Sequence, residues 1–264
     1  MSVVQVTTHP MKYQLMELIE SIIPNEAYAE VIPPEEKLYI QFELAGENNQ
    51  RQIAQVLGEA SGEKPVYHRD RDWKSIYNKG YYEVAGWTVD GQPYSCELTS
   101  DRFSLAGLPY ILIGLDALNE KGYLPDGEVR INLVSENLDI RQVLNLHVML
   151  EARKTLLQQA LNLSEELRII LDTTLALSIP LGAFDLPKIE AAACLLYQMS
   201  TQAEQTSKVR MKPADGSNPR YQMRTWLLRL GFIGEQFARP RQTLLENLEG
   251  NSAFFRPNER RTSA

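Results

Sequence analysis

The amino-acid sequence predicts a mixed α/β fold of the α+β type. It would contain two β-α-β-β-α-like modules with helices packed on small sheets, and a C-terminal helical hairpin or helix-turn-helix. Three observations support this prediction. Several short segments alternate apolar and polar residues, as strands do. Other segments repeat apolar residues every three or four positions, as helices do. These elements follow a similar order twice within 264 residues, a length that can bury a large core.

Residues 1–36 form a predicted N-terminal extension. The segment MKYQLMELIESI carries apolar residues at helical spacing, which indicates an amphipathic helix. Pro33 and Pro34 separate this extension from the strand-like sequence that follows.

The first module spans residues 37–123, with the predicted order β-α-β-β-β-α. KLYIQFEL predicts the opening strand, NNQRQIAQVLGEA a helix and KPVYH a short strand. Asp90 and Gly91 lie between two strand-like runs, GYYEVAGWTV and QPYSCEL, and such a pair predicts a hairpin turn. A helix with apolar residues from Leu108 to Leu118 follows, and Gly122 is suited to end it.

The second module spans residues 124–207, with the predicted order β-α-β-β-α. EVRINLV predicts a strand, and a long helix is expected over residues 138–161. LRIILD and LALSI predict two short strands joined at residues 172–174. Asp185 is a predicted N-cap for the last helix, with Pro187 in its first turn.

A polar, basic segment at residues 208–217 is the predicted linker between domains. The helical pair is expected over residues 218–255, followed by a basic tail at 256–264. Asn218 and Pro219 suit the start of its first helix, and Gly231 suits the end. Pro240 marks the start of the second helix or a kink within its first turn. The length of the turn fits DNA-binding helical pairs.

The net charge of −7 is unevenly distributed along the chain. Residues 1–200 carry a net charge of −12 and residues 201–264 a net charge of +5. Clustered guanidinium groups bind phosphates well, and an aromatic ring can stack on a base. The predicted contacts for nucleic acid or a partner are Lys208, Arg210, Lys212, Arg220, Tyr221, Arg224, Arg239 and Arg241. The same residues would equally fit a solvated surface, or pairing with the acidic part of the chain. A predicted acidic surface for a protein partner comprises Glu35, Glu36, Glu43 and Glu47.

The sequence contains no recognisable catalytic motif. None of the histidines has a second histidine or a cysteine at metal-ligand spacing, and no glycine-rich phosphate loop is present. We therefore expect no catalytic residues, metal site or cofactor. His68 lies close to Asp70 and Asp72, and this group is the one place where an unrecognised enzyme site would begin, although a solvated loop explains it more simply.

Cys96 and Cys194 lie in apolar surroundings, so buried reduced thiols are expected. No membrane-spanning run or secretory signal is visible, which predicts a cytoplasmic protein without membrane contact.

Several segments resemble accessory proteins carried on integrative conjugative elements of gut Firmicutes, a group often labelled only "virulence-related". The resemblance covers most of residues 38–255. It lies in LYIQFELAGENNQRQIAQVLGEASGEKPVY, the hairpin GYYEVAGWTVDG, the helix ending LNEKGY, and RYQMRTWLLRLGFIGEQF with RQTLLENLEGNSAFF. The N-terminal extension, Pro240 and Gln242 depart from that group. The resemblance implies a mobile-element setting and no particular chemistry.

Two functions follow as hypotheses. The first is a non-catalytic accessory protein that binds nucleic acid, or a nucleic-acid-handling complex, through its basic C-terminal region. The alternative is an anti-defence inhibitor of the anti-CRISPR type, whose acidic surface occupies a site on a host protein that is meant for a phosphate backbone.

Overall fold

The computed structural model describes residues 36–45, 49–69, 80–91, 95–134, 138–163, 168–171, 175–181 and 183–251. The predicted N-terminal helix and basic tail lie outside these residues, as do Glu35, Glu47, Asp70 and Asp72. The described strands are β1 (Leu38–Ala45), β2 (Val66–His68), β3 (Tyr81–Val84), β4 (Trp87–Gly91), β5 (Ser95–Ser100), β6 (Pro125–Val134), β7 (Arg168–Leu171) and β8 (Leu175–Leu181). The described α-helices are α1 (Gln50–Ser61), α2 (Leu108–Glu120), α3 (Ile140–Leu161), α4 (Leu186–Gln205), α5 (Pro219–Arg229) and α6 (Ala238–Glu246).

The mixed α/β class is confirmed, but the strands of both predicted modules join in one antiparallel sheet. Its order is β2-β3-β4-β5-β1-β6-β8-β7. The first strand of each module forms the seam, where Ile40 pairs with Ile131 and Leu38 with Leu133. One cluster of buried residues extends through both modules and the C-terminal helices. The modules therefore share a core, a question that the sequence left open.

The two halves of the sheet are related as a structural repeat. β1, α1, β4, β5 and α2 form the first unit, and β6, α3, β7, β8 and α4 form the second. In each unit the opening strand pairs with the last strand, which pairs in turn with the strand before it. The closing helices begin alike, with Leu108-Pro109 in α2 and Leu186-Pro187 in α4. The hairpin β2–β3 is an addition to the first unit at the sheet edge.

The core lies on the face of the sheet that the helices cover. Along β1 the side chains of Leu38, Ile40, Phe42 and Leu44 are buried, while Glu43 between them is exposed. Phe42 makes edge-to-face contacts with Trp87 at 5.8 Å and with Phe184 at 5.0 Å between ring centroids. Aromatic pairs of this kind stabilise by about 0.5–1.5 kcal/mol beyond the area they bury.

Local signals place the helix ends as the sequence predicts. The carboxylate of Asp185 accepts a hydrogen bond from the Lys188 amide at 3.2 Å, and the Asn218 side chain accepts one from the Tyr221 amide at 3.1 Å. These bonds satisfy amides that have no partner within the helix. Gly122 has the positive φ of +80° that suits a residue ending a helix.

The predicted hairpin between the two strand-like runs is present as β4 and β5, which pair antiparallel, but Asp90 and Gly91 are not its turn residues. Both residues belong to the β4–β5 ladder, where Asp90 pairs with Glu97. A further tight turn, between β3 and β4, lies at Ala85 and Gly86, whose φ angles are 52° and 71°. This turn splits the run GYYEVAGWTV into β3 and β4. An alanine with positive φ is uncommon, so the sequence gives only a weak turn signal there.

Both cysteines are free and buried, as predicted. Burial raises the pKa of each thiol to about 12. Among the described helices, none is both long and apolar enough to cross a membrane.

Candidate nucleic-acid interface

The predicted linker, residues 208–217, is held against α3 by hydrogen bonds. The Val209 amide donates to Asn145 Oδ1 at 2.9 Å, and the Ala214 amide donates to the Ala152 carbonyl at 3.2 Å. Arg153 Nη1 donates to the Lys212 carbonyl at 2.9 Å. These contacts make the segment a fixed strap along the helix, in contrast to the loose connection that its composition predicts.

Helix α5 follows the strap and presents arginines on both flanks of its outer face. Its inner face is buried through Met223, Trp226 and Leu227. Arg220 and Arg224 are four residues apart and share one flank. Arg229 lies on the other flank, because each residue advances about 100° around a helix.

Arg229 lies near a partly buried arginine that sequence reasoning missed. The guanidinium of Arg153 lies 5.8 Å from the ring centroid of Trp226. Burial lowers the pKa of Arg153, and the positive charge of Arg229 lowers it further. Arg153 Nε is buried and has no hydrogen-bond partner. Two neighbouring cations with an unused donor favour a bound anion.

We define the basic surface as the cations of the strap and α5, all exposed except the half-buried Arg220, together with Arg153. Its members are Arg153, Lys208, Arg210, Lys212, Arg220, Arg224 and Arg229. Within the described part of the chain, no carboxylate forms an ion pair with any of these seven side chains. Tyr221 is half-buried in the first turn of α5.

The other two predicted contacts bind groups of the fold itself, although the side chain of Arg239 is 64% exposed. Arg239 Nε lies 3.3 Å from a carboxylate oxygen of Glu190 on α4. Arg241 Nη1 donates to the carbonyls of Phe232 and Gly234 at 2.7 and 3.1 Å. The carbonyls belong to the turn before α6, so Arg241 holds that turn in place. These hydrogen bonds leave its guanidinium with few donors for a phosphate.

The predicted helix-turn-helix is a helical pair, but its second helix is not free to enter a DNA groove. Pro240, Thr243 and Leu244 of α6 are buried where this helix packs across α3 and α4. Asn247 Nδ2 also donates to the Ala160 carbonyl of α3 at 3.0 Å. In helix-turn-helix proteins it is the second helix that contacts base edges. The basic surface lies instead on the first helix and the strap.

Acidic side chains line the sheet face opposite the helices. Glu43 pairs in register with Glu97, and Glu97 pairs with Asp90 on the next strand. Like charges directly opposite each other in a sheet are unfavourable. The Gln41 amide donates to Glu97 and relieves part of this repulsion. Of the predicted acidic surface, Glu36 and Glu43 are exposed in the structure.

His68, at the edge of the sheet, contacts two residues of the neighbouring strand β3. Its Nε2 is 2.8 Å from a Glu83 carboxylate oxygen, and its ring stacks on Tyr81 at 5.0 Å between centroids. Within the residues that the structure describes, no three His, Cys, Asp or Glu side chains form a group that would hold a metal ion.

The fold and this surface together define a mixed α/β protein with an acidic sheet and a basic C-terminal helix. No protein-family model, curated protein or solved structure matches the chain.

Proposed function

We propose that this protein is a non-catalytic binding protein that contacts nucleic acid through its basic surface. The observation that carries the proposal is the placement of Arg153 near Arg229. A buried guanidinium donor of Arg153 is unused, and among the described residues no carboxylate pairs with either arginine. A phosphate between the two guanidiniums would relieve their repulsion and satisfy that donor. The resemblance of several segments to conjugative-element proteins supports a role as an accessory protein of a mobile element, acting in the cytoplasm.

The extent of the basic surface favours a phosphate backbone over a small anion. The cations of the strap and α5 form an extended set, so several phosphates would be contacted at once. Phosphate contacts of this kind do not read base sequence, because every nucleotide carries the same phosphate, and they gain affinity by releasing condensed counterions. Such binding needs no side chain that reads a base edge. This agrees with the packing of α6 against α3 and α4, which keeps that helix out of a DNA groove.

The test is the salt dependence of DNA binding by the full chain. Fluorescently labelled single-stranded and duplex DNA are titrated across a series of salt concentrations. The variant R220Q/R224Q/R229Q removes three surface cations, and R51Q/K64Q/K121Q is a matched control that removes three exposed cations from the first unit. Each lost phosphate contact lowers the slope of log affinity against log salt by about 0.7–0.9.

We expect the slope of log affinity against log salt to become smaller by about 2 in the surface variant, and to change little in the control. Equal losses in both variants would show only a general charge effect, and absence of binding at low salt would refute the proposal. If single-stranded DNA binds while duplex does not, the surface tracks a single backbone, and the proposal is retained in that narrower form.

A second candidate function is favoured by the row of carboxylates on the sheet. Glu43, Glu97 and Asp90 follow one another across three adjacent strands, about 4.8 Å apart. Such a row would suit an inhibitor that occupies the phosphate-binding channel of a host nuclease. The experiment is DNA cleavage by a purified Cas9–guide RNA complex in the presence of this protein. Inhibition that disappears in E43Q/E97Q, and persists in R220Q/R224Q/R229Q, supports this candidate. No inhibition by the unmodified protein removes it.

A further inference from the structure

The groove between the two helices is covered by a further helix in the second repeat unit and is open in the first. In the second unit, α6 packs across α3 and α4. Its contacts include Asn247 with Ala160, the second-last residue of α3, and Arg239 with Glu190 in the first turns of α4. The corresponding groove of the first unit lies between the end of α1 and the first turns of α2. None of the described helices covers it.

Equivalent residues show the difference in exposure directly. Ala160 of α3 is fully buried, whereas Ala60, also second-last in its helix, is exposed. Ala191 is the sixth residue of α4 and is fully buried, whereas Ile113, sixth in α2, is 49% exposed. The first unit therefore leaves an apolar strip open at the place where the second unit is covered by a helix.

A cavity of about 220 Å³ opens into this groove. Its walls include Leu57, Ala60, Ala85, Trp87, Ile113 and Gly114. Trp87 is 2% exposed, and its indole Nε1 has no hydrogen-bond partner. A Cβ atom at Gly114 would lie 2.8 Å from that nitrogen, so the glycine leaves room beside the indole.

The rim of the groove carries mainly negative charge. Glu63 follows α1 in the chain, and Asp116 lies one turn beyond Ile113 on α2. Glu63 is fixed in position, because it accepts hydrogen bonds from Tyr110 Oη at 3.1 Å and from the Ala85 amide at 3.2 Å. Lys64 is the neighbouring cation in the same loop. The excess of carboxylates favours a positively charged partner.

We propose that the groove between α1 and α2 binds an amphipathic helix of a partner protein, with basic flanks and one apolar side chain that enters the cavity. The repeat supplies the geometry, because α6 shows how a helix fits the equivalent groove. The rim supplies the charge preference, and the cavity supplies an anchor of the size that suits one large side chain. This site is on the first unit and is separate from the basic surface.

The experiment follows the indole and amide resonances of the full ¹⁵N-labelled chain. The probe is a capped leucine–lysine peptide with the repeat LKKLLKL, and the matched probe replaces every lysine by glutamate. W87F assigns the Trp87 indole signal. We expect the lysine peptide to shift the Trp87 indole and the Gly114 amide in a saturable manner, and the glutamate peptide to leave both unchanged.

Variants at the mouth of the cavity separate docking from general attraction to an acidic protein. A60W places a large ring over the opening at an exposed position, and A238W makes the same change at an exposed residue of α6. We expect A60W to weaken peptide binding by about tenfold or more, as for loss of a hot-spot contact, and A238W to retain it. The proposal is overturned if both peptides shift the same signals, if A60W binds like the unmodified chain, or if only signals outside the groove move.

Discussion

Replacement of Asn145 by alanine should destabilise the protein more than any change at an exposed asparagine. Asn145 lies on α3 and is 4% exposed. Its Nδ2 donates to the carbonyls of Ala203 and Thr206 at 3.2 and 2.6 Å, and its Oδ1 accepts from the Val209 amide at 2.9 Å. One side chain thus closes the end of α4 and fixes the start of the strap.

The magnitude follows from these three bonds. Each hydrogen bond contributes about 1 kcal/mol net, and a backbone group left buried without a partner costs about 1–3 kcal/mol. Water will reach some of the freed groups, because the Thr206 and Val209 backbone lies near the surface. We therefore expect N145A to lower the free energy of unfolding by about 2–4 kcal/mol.

Urea unfolding measures this change, with N119A on the exposed end of α2 as the matched control. The control should stay within about 0.5 kcal/mol of the unmodified protein. Hydrogen exchange of the Val209 amide reports the strap separately, and it should accelerate in N145A by more than the global loss of stability requires. A loss below about 0.5 kcal/mol, or a Val209 amide that exchanges freely in the unmodified protein, would refute this account of the strap.

Three further predictions concern the turn, the thiols and a helix cap. R241K should lower the unfolding free energy by about 1–2 kcal/mol in urea, because an ammonium does not replace the guanidinium between two carbonyls. Cys96 and Cys194 should resist Ellman's reagent until the chain unfolds. Their pKa of about 12 exceeds the ordinary 9.0, so calorimetry should show stability falling as pH rises from 9 towards 12. D139A should lower the unfolding free energy by about 0.5–2 kcal/mol through loss of the α3 capping box. Hydrogen bonds lower the pKa of Asp139 from its ordinary 3.8, so the unmodified protein should keep this contribution above pH 3.8 and lose it as the pH falls through the lowered pKa.

The features that the sequence predicted well are determined by neighbours in the chain. The caps at Asp185 and Asn218 need only a side-chain oxygen and an amide three residues on. The strand β1 and the helix α3 follow from periodic burial of apolar residues. By contrast, the pairing of β1 with β6 joins residues about ninety positions apart, and alternation along each strand does not say which strand will be its neighbour.

The basic surface was predictable in part for the same reason. Lys212, Arg220 and Arg224 stand out as cations in a region of positive net charge. Arg153 lies on a helix more than sixty residues earlier, and only the packing of the strap brings it beside Arg229. The internal roles of Arg239 and Arg241 likewise depend on tertiary contacts that composition does not encode.

The unequal helices of the two units explain why the C-terminal pair belongs to the second unit. In α4, six consecutive residues from Ala191 to Leu196 are buried, so this helix is apolar on nearly every side. A helix of that kind needs cover on the side away from the sheet, and α6 provides it. The same packing positions α5 and the strap, and with them the basic surface. In the first unit, α2 retains Tyr110 and Ile113 on its outer side, where no helix of the described chain covers them. The proposed nucleic-acid surface and the proposed helix-binding groove therefore correspond to the two units of one structural repeat. The helices of the second unit are covered by α6, and those of the first are left open. A single chain would thus bring a bound protein and a nucleic acid together.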